Sequence, residues 1–328
     1  MKAIVRTEYG GTEQVRLEDV PDPAPAAGEV LVEVRAAGVD AGVWHLMHGE
    51  PRAVRLAFGL RRPRQPVLGR DLAGVVTAVG EGVTGFAVGD EVLGTTSDGS
   101  YAERAVVPVD RLVKKPAAWS FEQAAAAPVS GLTALQAVHD LGGVTSGDRV
   151  LVVGGSGGVG SLAVQLAVAA GAQVDAVCSL AKADFVRGLG AGLVAAHGPG
   201  ADLPFEDGGQ APYDVVVDIG GARPVRRLRR VLKPGGTLVL VGGETGGRWL
   251  GGVQRQVAAW LVSPLLPQRV RFFVASEKGS DLARFVEHAE AGGFVPVVDR
   301  TWPLVDATAA IDHLVDGRVR GKVVLSVS

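Results

Sequence analysis

Four consecutive apolar residues, Val150-Leu151-Val152-Val153, run without a break into Gly154-Gly155-Ser156-Gly157-Gly158-Val159-Gly160, and Ser161 to Ala170 continue as a helix rich in Ala, Leu and Val. No other stretch constrains the fold as strongly. Strand, glycine turn and helix in that order form half of a βαβ unit, and from Gly155 the residues spell G-x-G-x-x-G. Glycines there permit a tight turn, close approach of backbone to a pyrophosphate, and close packing of helix on strand. The free amides and positive dipole end of the helix then face the phosphates. In this context the motif predicts a dinucleotide site on Gly155, Ser156, Gly157, Gly158, Val159 and Gly160; the alternative is a plain turn in a chain with 47 glycines.

The flanking sequence sets the architecture. From about Trp119 onward, helical stretches at 121–142, 159–170, 182–189 and 224–232 alternate with strand-like runs at 149–153, 173–178, 215–219, 237–242 and 270–275. Alternation of that kind means a parallel sheet, its strands apolar throughout because helices cover both faces. The earlier residues are broken by Gly and Pro into β-rich runs at 3–6, 29–36, 73–79, 91–94 and 101–108, and 295–328 returns to strand and helix fragments. With 328 residues the chain has material for two cores. The expected fold is α/β: a mostly β domain from 1–118 and 294–328, and a doubly wound parallel-sheet domain over 119–293.

A formal charge of −2 gives no global field for nucleic acid or an anionic membrane. No apolar run approaches the ~20 residues that span a bilayer. Charges at Lys2, Arg6 and Glu8 come too early for a secretory leader, so a cytoplasmic protein without membrane attachment is expected. Cys178 is the only cysteine, which excludes an internal disulfide and a structural zinc site of several thiolates.

Which dinucleotide fits is a question of charge. A site for NAD usually carries an acidic residue about 20 residues past the turn, at the end of the second strand, to hold the ribose 2′-hydroxyl. Counting from Gly155 reaches Asp175, which lies inside the run 173–178; the strand end is Cys178-Ser179. Ser179 does not repel a 2′-phosphate, and Lys182 and Arg187 follow it, so NADP(H) is expected. Ser179 as a helix cap and Lys182 as a solvated charge are the plainer readings, compatible with phosphate binding.

Ala36-Ala37-Gly38-Val39, Leu68-Gly69-Arg70-Asp71-Leu72-Ala73-Gly74, Val79-Gly80, Gly89-Asp90-Glu91-Val92, Gly131-Leu132-Thr133-Ala134 and the loop at Gly155 together resemble the medium-chain dehydrogenase/reductase superfamily, in its quinone oxidoreductase branch. The resemblance covers essentially the whole chain. It implies a GroES-like catalytic domain formed by both termini, an inserted Rossmann domain, and an active-site cleft where they meet. Zinc-dependent members place a Cys after A-A-G-V and then Gly-His-Glu; here stand Asp40 and Gly69-Arg70-Asp71. A guanidinium does not ligate a metal, so no metal is expected. Asp40 with His45 is the residual metal pair, set against a surface or packing role for His45. The resemblance further implies a nicotinamide near Asp40, Thr133 and Gly242, Lys322 approaching from the C-terminal tail, Ser156, Gly158 and Val159 on the pyrophosphate, Phe273 at the cofactor, and His197 replacing a Tyr beside the adenosine phosphate.

Asp40 is a candidate for a ribose or nicotinamide hydrogen bond and, with no partner base in sight, for proton transfer; it also suits the N-cap of a helix opening at Ala41. Trp44 reads as the wall of a flat apolar substrate slot or as core, and Trp249, in the apolar segment 244–268, as cover for a pocket or subunit interface or as ordinary burial. Without a Lewis acid, the reaction expected is hydride transfer from NADPH to an apolar conjugated carbonyl, a quinone or an α,β-unsaturated compound. The alternatives are a biosynthetic reductase acting on a natural-product C=C, C=N or C=O bond, and an NADPH-binding protein without turnover. The resemblance also suggests a homodimer joined through an edge strand at 270–274, with sheet-interior burial as the other reading.

Overall fold

In the computed structural model the described residues are 1–196, 203–205, 212–242, 249, 251, 253–263 and 266–327. They form two compact units: Met1–Leu132 with Glu277–Glu287 and Val295–Ser328, and Thr133–Ser276 with His288–Phe294. Relative to boundaries at 118 and 294, the first unit thus also takes in 119–132 and 277–287.

The first unit begins with β1 (Lys2–Val5) and β2 (Arg16–Asp19), an antiparallel pair. β3 (Glu29–Val39) buries Val30, Val32 and Val34 on one face by strict alternation, then becomes wholly buried where Ala36 to Val39 are covered on both sides. α1 (Ala41–His48) follows, opened by Asp40 and closed by Gly49, whose φ of 61° suits glycine. After α2 (Arg55–Phe58) come β4 (Asp71–Val79), β5 (Glu91–Thr95), β6 (Arg104–Pro108), β7 (Leu112–Lys114) and α3 (Phe121–Ala125), the last fixed by a capping box of Ser120 and Gln123. The helical stretch expected over 121–142 is broken: α4 (Pro128–Leu135) restarts at a proline and runs into a π-helical segment, Gln136–Leu141.

The second unit holds β8 (Arg149–Val153), α5 (Gly158–Ala169), β9 (Gln173–Cys178), α6 (Ala183–Gly188), β10 (Val194–Ala196), β11 (Tyr213–Asp218), α7 (Val225–Arg230), β12 (Leu232–Leu240), α8 (Val253–Val262) and β13 (Arg269–Phe272). Six parallel strands lie in the order β10-β9-β8-β11-β12-β13. The order reverses between β8 and β11, and ligands of such sheets bind beyond the strand ends at that switch. Leu151, Val153, Val216, Leu238 and Leu240 make the core. Among the described residues β13 is an edge strand, so the sheet-interior reading of 270–274 gives way.

α9 (Gly279–Gly292), β14 (Val298–Pro303), α10 (Ala307–Val315) and β15 (Lys322–Ser326) complete the chain. The tail returns to the first unit. Its sheet runs β14-β15-β3-β4-β5-β7, with β6 also on β3, and β15 lies antiparallel to β3 with Val323 opposite Val39. Ile311 of α10 joins Val32, Leu72, Val92 and Tyr101 in the core.

Candidate active site

The glycine turn leaves β8 at its carboxyl end. Amides of Gly154 and Gly155 both donate to Val177 O, at 2.9 and 3.1 Å, pinning the turn to β9. A Cβ on Gly160 would lie 2.0 Å from Gly154 O, so helix and turn touch through backbone alone. A Cβ on Gly157 would meet nothing within 4 Å: that glycine faces open space. The first helical bond runs from Ser161 N–H to Gly157 O, so the amides of Gly158, Val159 and Gly160 precede any intrahelical acceptor. Ser156 is buried beside them. Across the switch point, a Cβ on Gly242 would come within 2.0 Å of Ile219 O, and its carbonyl accepts from Gln256 Nε2 at 3.2 Å. Thr133 is buried in this unit, and Phe273 is half-buried one residue past β13. These open amides fit a pyrophosphate.

The end of β9 carries positive charge. Asp175, the acid counted from the motif, is turned into the sheet: its carboxylate accepts from Arg149 Nη2 at 3.2 Å, Tyr213 Oη at 2.9 Å and the Leu193 amide at 3.0 Å. Ser179 begins a short 3-10 turn without using its hydroxyl as a cap. Burial pushes the Cys178 thiol up, with Lys182 and Arg187 pulling it down. Arg187 also pairs with the exposed Asp184 at 2.7 Å. A hydroxyl and two cations, with the strand's one acid occupied elsewhere, suit a phosphate. His197 lies outside the described residues.

In the first unit, β3, β4, β15 and α4 bring together a group that sequence reasoning saw only in pieces. Lys322 Nζ, 3% exposed, lies 2.8 Å from Asp71 Oδ2, 3.0 Å from Ser130 Oγ and 3.5 Å from Asp40 Oδ2. Asp71 is sealed from solvent and accepts from the Val129 amide at 2.9 Å. Asp40 does two things at once: Oδ1 caps α1 by accepting from Val43 N–H at 3.1 Å, and Oδ2 faces the ammonium. Burial pushes Asp71 up to about 6, with Lys322 pulling down and Asp40 pushing further up. Burial pulls Lys322 down, yet the two carboxylates together hold it above its ordinary range. One ammonium shared by two carboxylates explains both directions.

Other expected residues are dispersed. Trp44 is half-buried against the first core, with its ring 4.2 Å from that of His48 and 5.1 Å from that of His45. His45 Nδ1 lies 3.2 Å from Glu50 O. Among the described residues no group of three His, Cys, Asp or Glu is placed to hold a metal ion. Arg70 pairs with Glu277 at 2.5 Å. In the second unit Trp249 is 68% exposed, and so is Leu261 at 63%, while Ala259 enters the core.

Residues 26–117 match the family described as alcohol dehydrogenase GroES-like domain, and 189–325 the family described as zinc-binding dehydrogenase. A chloroplast envelope quinone oxidoreductase homolog of Arabidopsis thaliana is 30% identical over 99% of this chain and 98% of its own length. The chain is a medium-chain dehydrogenase/reductase. A 2-methylene-furan-3-one reductase of Solanum lycopersicum is 32% identical over 99% of the medium-chain protein and 79% of its own length. A spectinabilin polyketide synthase system protein of Streptomyces orinoci is 36% identical over 97% of it. The chain spans only 14% of that synthase, and 8% of each of two related synthases. Among solved structures, the CurK enoyl reductase superposes with a TM-score of 0.85 at 26% identity, covering 100% and 99% of the two chains. A mycobacterial protein complexed with NADPH gives 0.81 at 29%, covering 99% and 100%.

The medium-chain architecture thus has a GroES-like unit and a Rossmann-like unit. Sequence reasoning missed two of its features. Asp71 and Ser130 complete the Lys322 cluster, and only the contrast of Gly69-Arg70-Asp71 with Gly-His-Glu pointed toward the first. Asp218, buried at the end of β11, pairs with Arg255 Nη2 at 2.7 Å beside the Gly220-Gly221 turn. Burial pushes Asp218 up and Arg255 pulls it down. An aspartate closing an apolar strand was the available signal.

Proposed function

We propose that this medium-chain protein is a zinc-independent, NADPH-dependent reductase that directs hydride to the conjugated carbon of a quinone or α,β-unsaturated carbonyl compound. The observation that carries the reading is the pairing of an open glycine cradle at Gly157 with an end of β9 whose own acid, Asp175, is bound within the sheet while Ser179, Lys182 and Arg187 follow it. Gly158, Val159 and Gly160 donate to the pyrophosphate. Ser179, Lys182 and Arg187 hold the 2′-phosphate, while Asp175 stays bound inside the sheet. When bound, NADPH supplies the hydride. Arg70, standing where zinc-dependent members carry His, is committed to Glu277, and both carboxylates of the cluster already face the Lys322 ammonium. With Arg in place of that His, the position lacks the imidazole nitrogen that would ligate zinc. A conjugated acceptor needs no Lewis acid, and positioning supplies most of the acceleration. After hydride addition the substrate oxygen takes its proton from water, because Asp40, Asp71 and Lys322 are bound to one another.

The likeness to polyketide synthases and to the CurK enoyl reductase favours a second substrate reading, an enoyl thioester of a biosynthetic intermediate. Pairing of the edge strand β13 with a second copy would give a homodimer. The buried thiol of Cys178 suits a reducing compartment such as the cytoplasm, and no described helix is long and apolar enough to cross a membrane. The test is NADPH oxidation by chelator-treated protein against quinones, enones and enoyl thioesters, with NADH and zinc-restored controls. Metal-free turnover with an NADPH preference is expected. Activity only with zinc, or stoichiometric NADPH binding without oxidation, would overturn the proposal.

A further inference from the structure

A small cleft of about 60 Å³ opens in the first unit, walled by Val43, Leu46, Phe58 and Val67 and flanked by Arg6 and Arg70. Along the chain its walls adjoin the Lys322 cluster at two points. Val43 and Leu46 lie on α1, capped by Asp40, and Arg70 immediately precedes Asp71. One charge in it is unbalanced. Arg70 pairs with Glu277, but Arg6 is 5% exposed, its Nε has no hydrogen-bond partner, and among the described residues no carboxylate pairs with its guanidinium. Its neighbour is the Tyr9 ring, 5.9 Å away.

That geometry is held firmly. The Arg6 amide donates to Pro66 O, and Tyr9 Oη donates to Gly59 O at 2.6 Å. Arg55 lies 4.4 Å over the Tyr9 ring while donating to Gly49 O and His48 O. The segment 50–66 is thus tied down over Arg6, and it carries five arginines against one glutamate, in a chain of net charge −2. A buried cation without a counter-charge is costly, and burial lowers the hold of Arg6 on its proton, as that cost requires. A small, mostly apolar cleft with one buried cation that no described carboxylate balances fits the anionic end of a ligand.

We propose that this cleft binds the anionic group, carboxylate or phosphate, of the substrate, with Arg6 as its partner, so that the preferred acceptor is a conjugated carbonyl compound bearing that group. The proposal rests on the reductase reading for its reaction but not for its binding site. Two substrate pairs separate the sources: (E)-4-oxopent-2-enoate against its methyl ester, and crotonyl phosphopantetheine against crotonyl pantetheine. In the wild-type chain the charged member of at least one pair should have a KM roughly tenfold or more below its neutral partner. A gap in the first pair alone identifies a carboxylate, and in the second alone a phosphate. Arg6→Met should erase the gap while moving the neutral member by less than about twofold. Phe58→Glu, at the exposed rim, should erase it through an internal counter-charge and carries the test should Arg6→Met fail to fold. Calorimetric titration of the same four compounds into the chain without NADPH reads the site apart from turnover. Selective binding of a charged member, lost in Arg6→Met, with none of the four reduced, would keep the anion site and overturn the reductase reading. Equal KM and equal affinity within both pairs, or a gap untouched by both substitutions, would overturn the anion site.

Discussion

Lys322 and Asp71 meet at 2.8 Å where neither side chain reaches solvent, one from the last strand of the chain and the other from the first residue of β4. Removing the cation leaves Asp71 and Asp40 facing each other in a buried site. Lys322→Met should therefore cost about 3–5 kcal/mol in urea unfolding, and Asp71→Asn added to it should recover a large part of that loss. Additive losses would show that the pair is not coupled.

The same cluster sets a pH dependence. Asp71 is held above its ordinary value of 3.8, at about 6, chiefly by burial. A carboxyl raised in the folded state contributes stability that is fully present below about pH 4 and is lost as pH rises through about 6. The stability of the wild-type chain relative to Asp71→Asn should accordingly fall between pH 4 and 6 and level off above. Unfolding curves for both chains across pH 4–8 check this.

Asp175 has a structural task, three hydrogen bonds within the second unit. Asp175→Asn should cost about 1–3 kcal/mol by weakening the acceptor for Tyr213 and Arg149. The ratio of NADPH to NADH affinity should stay within about twofold, which fluorescence titration of each nucleotide measures.

Two glycines of one motif should fail differently. Gly157→Ala adds a methyl to open space in a backbone any residue adopts, so unfolding should change by no more than ~0.5 kcal/mol while NADPH binding weakens roughly tenfold or more. Gly160→Ala drives a methyl into Gly154 O and should destabilise the fold itself.

Lys182→Ala should lower kcat/KM for NADPH about tenfold and leave NADH nearly unchanged, one charge-assisted contact to a 2′-phosphate being lost. Equal losses for both nucleotides would assign Lys182 to something other than that phosphate.

Much of the second unit is legible because its determinants are local. The runs at 149–153 and 173–178 coincide with β8 and β9, and the glycine turn joins β8 to α5. The single helical stretch over 121–142 was not separable by periodicity into α3, α4 and the π-helical segment, whose break at Pro128 is a backbone effect. Least legible is the Lys322 cluster. Ser130 and Lys322 stand 192 positions apart, and their meeting depends on β15 returning to pair with β3. Arg6 looks like any surface cation in sequence; its burial emerges only once segment 50–66 folds over it.

The most direct measurement uses NADPH carrying deuterium at C4, as each of the two stereoisomers in turn, with chelator-treated protein and a simple enone. One isomer alone should place a single deuterium on the carbon β to the carbonyl, yielding the saturated ketone. Deuterium on the carbonyl carbon of an alcohol product, or none in the product from either isomer, would contradict hydride delivery to a conjugated double bond.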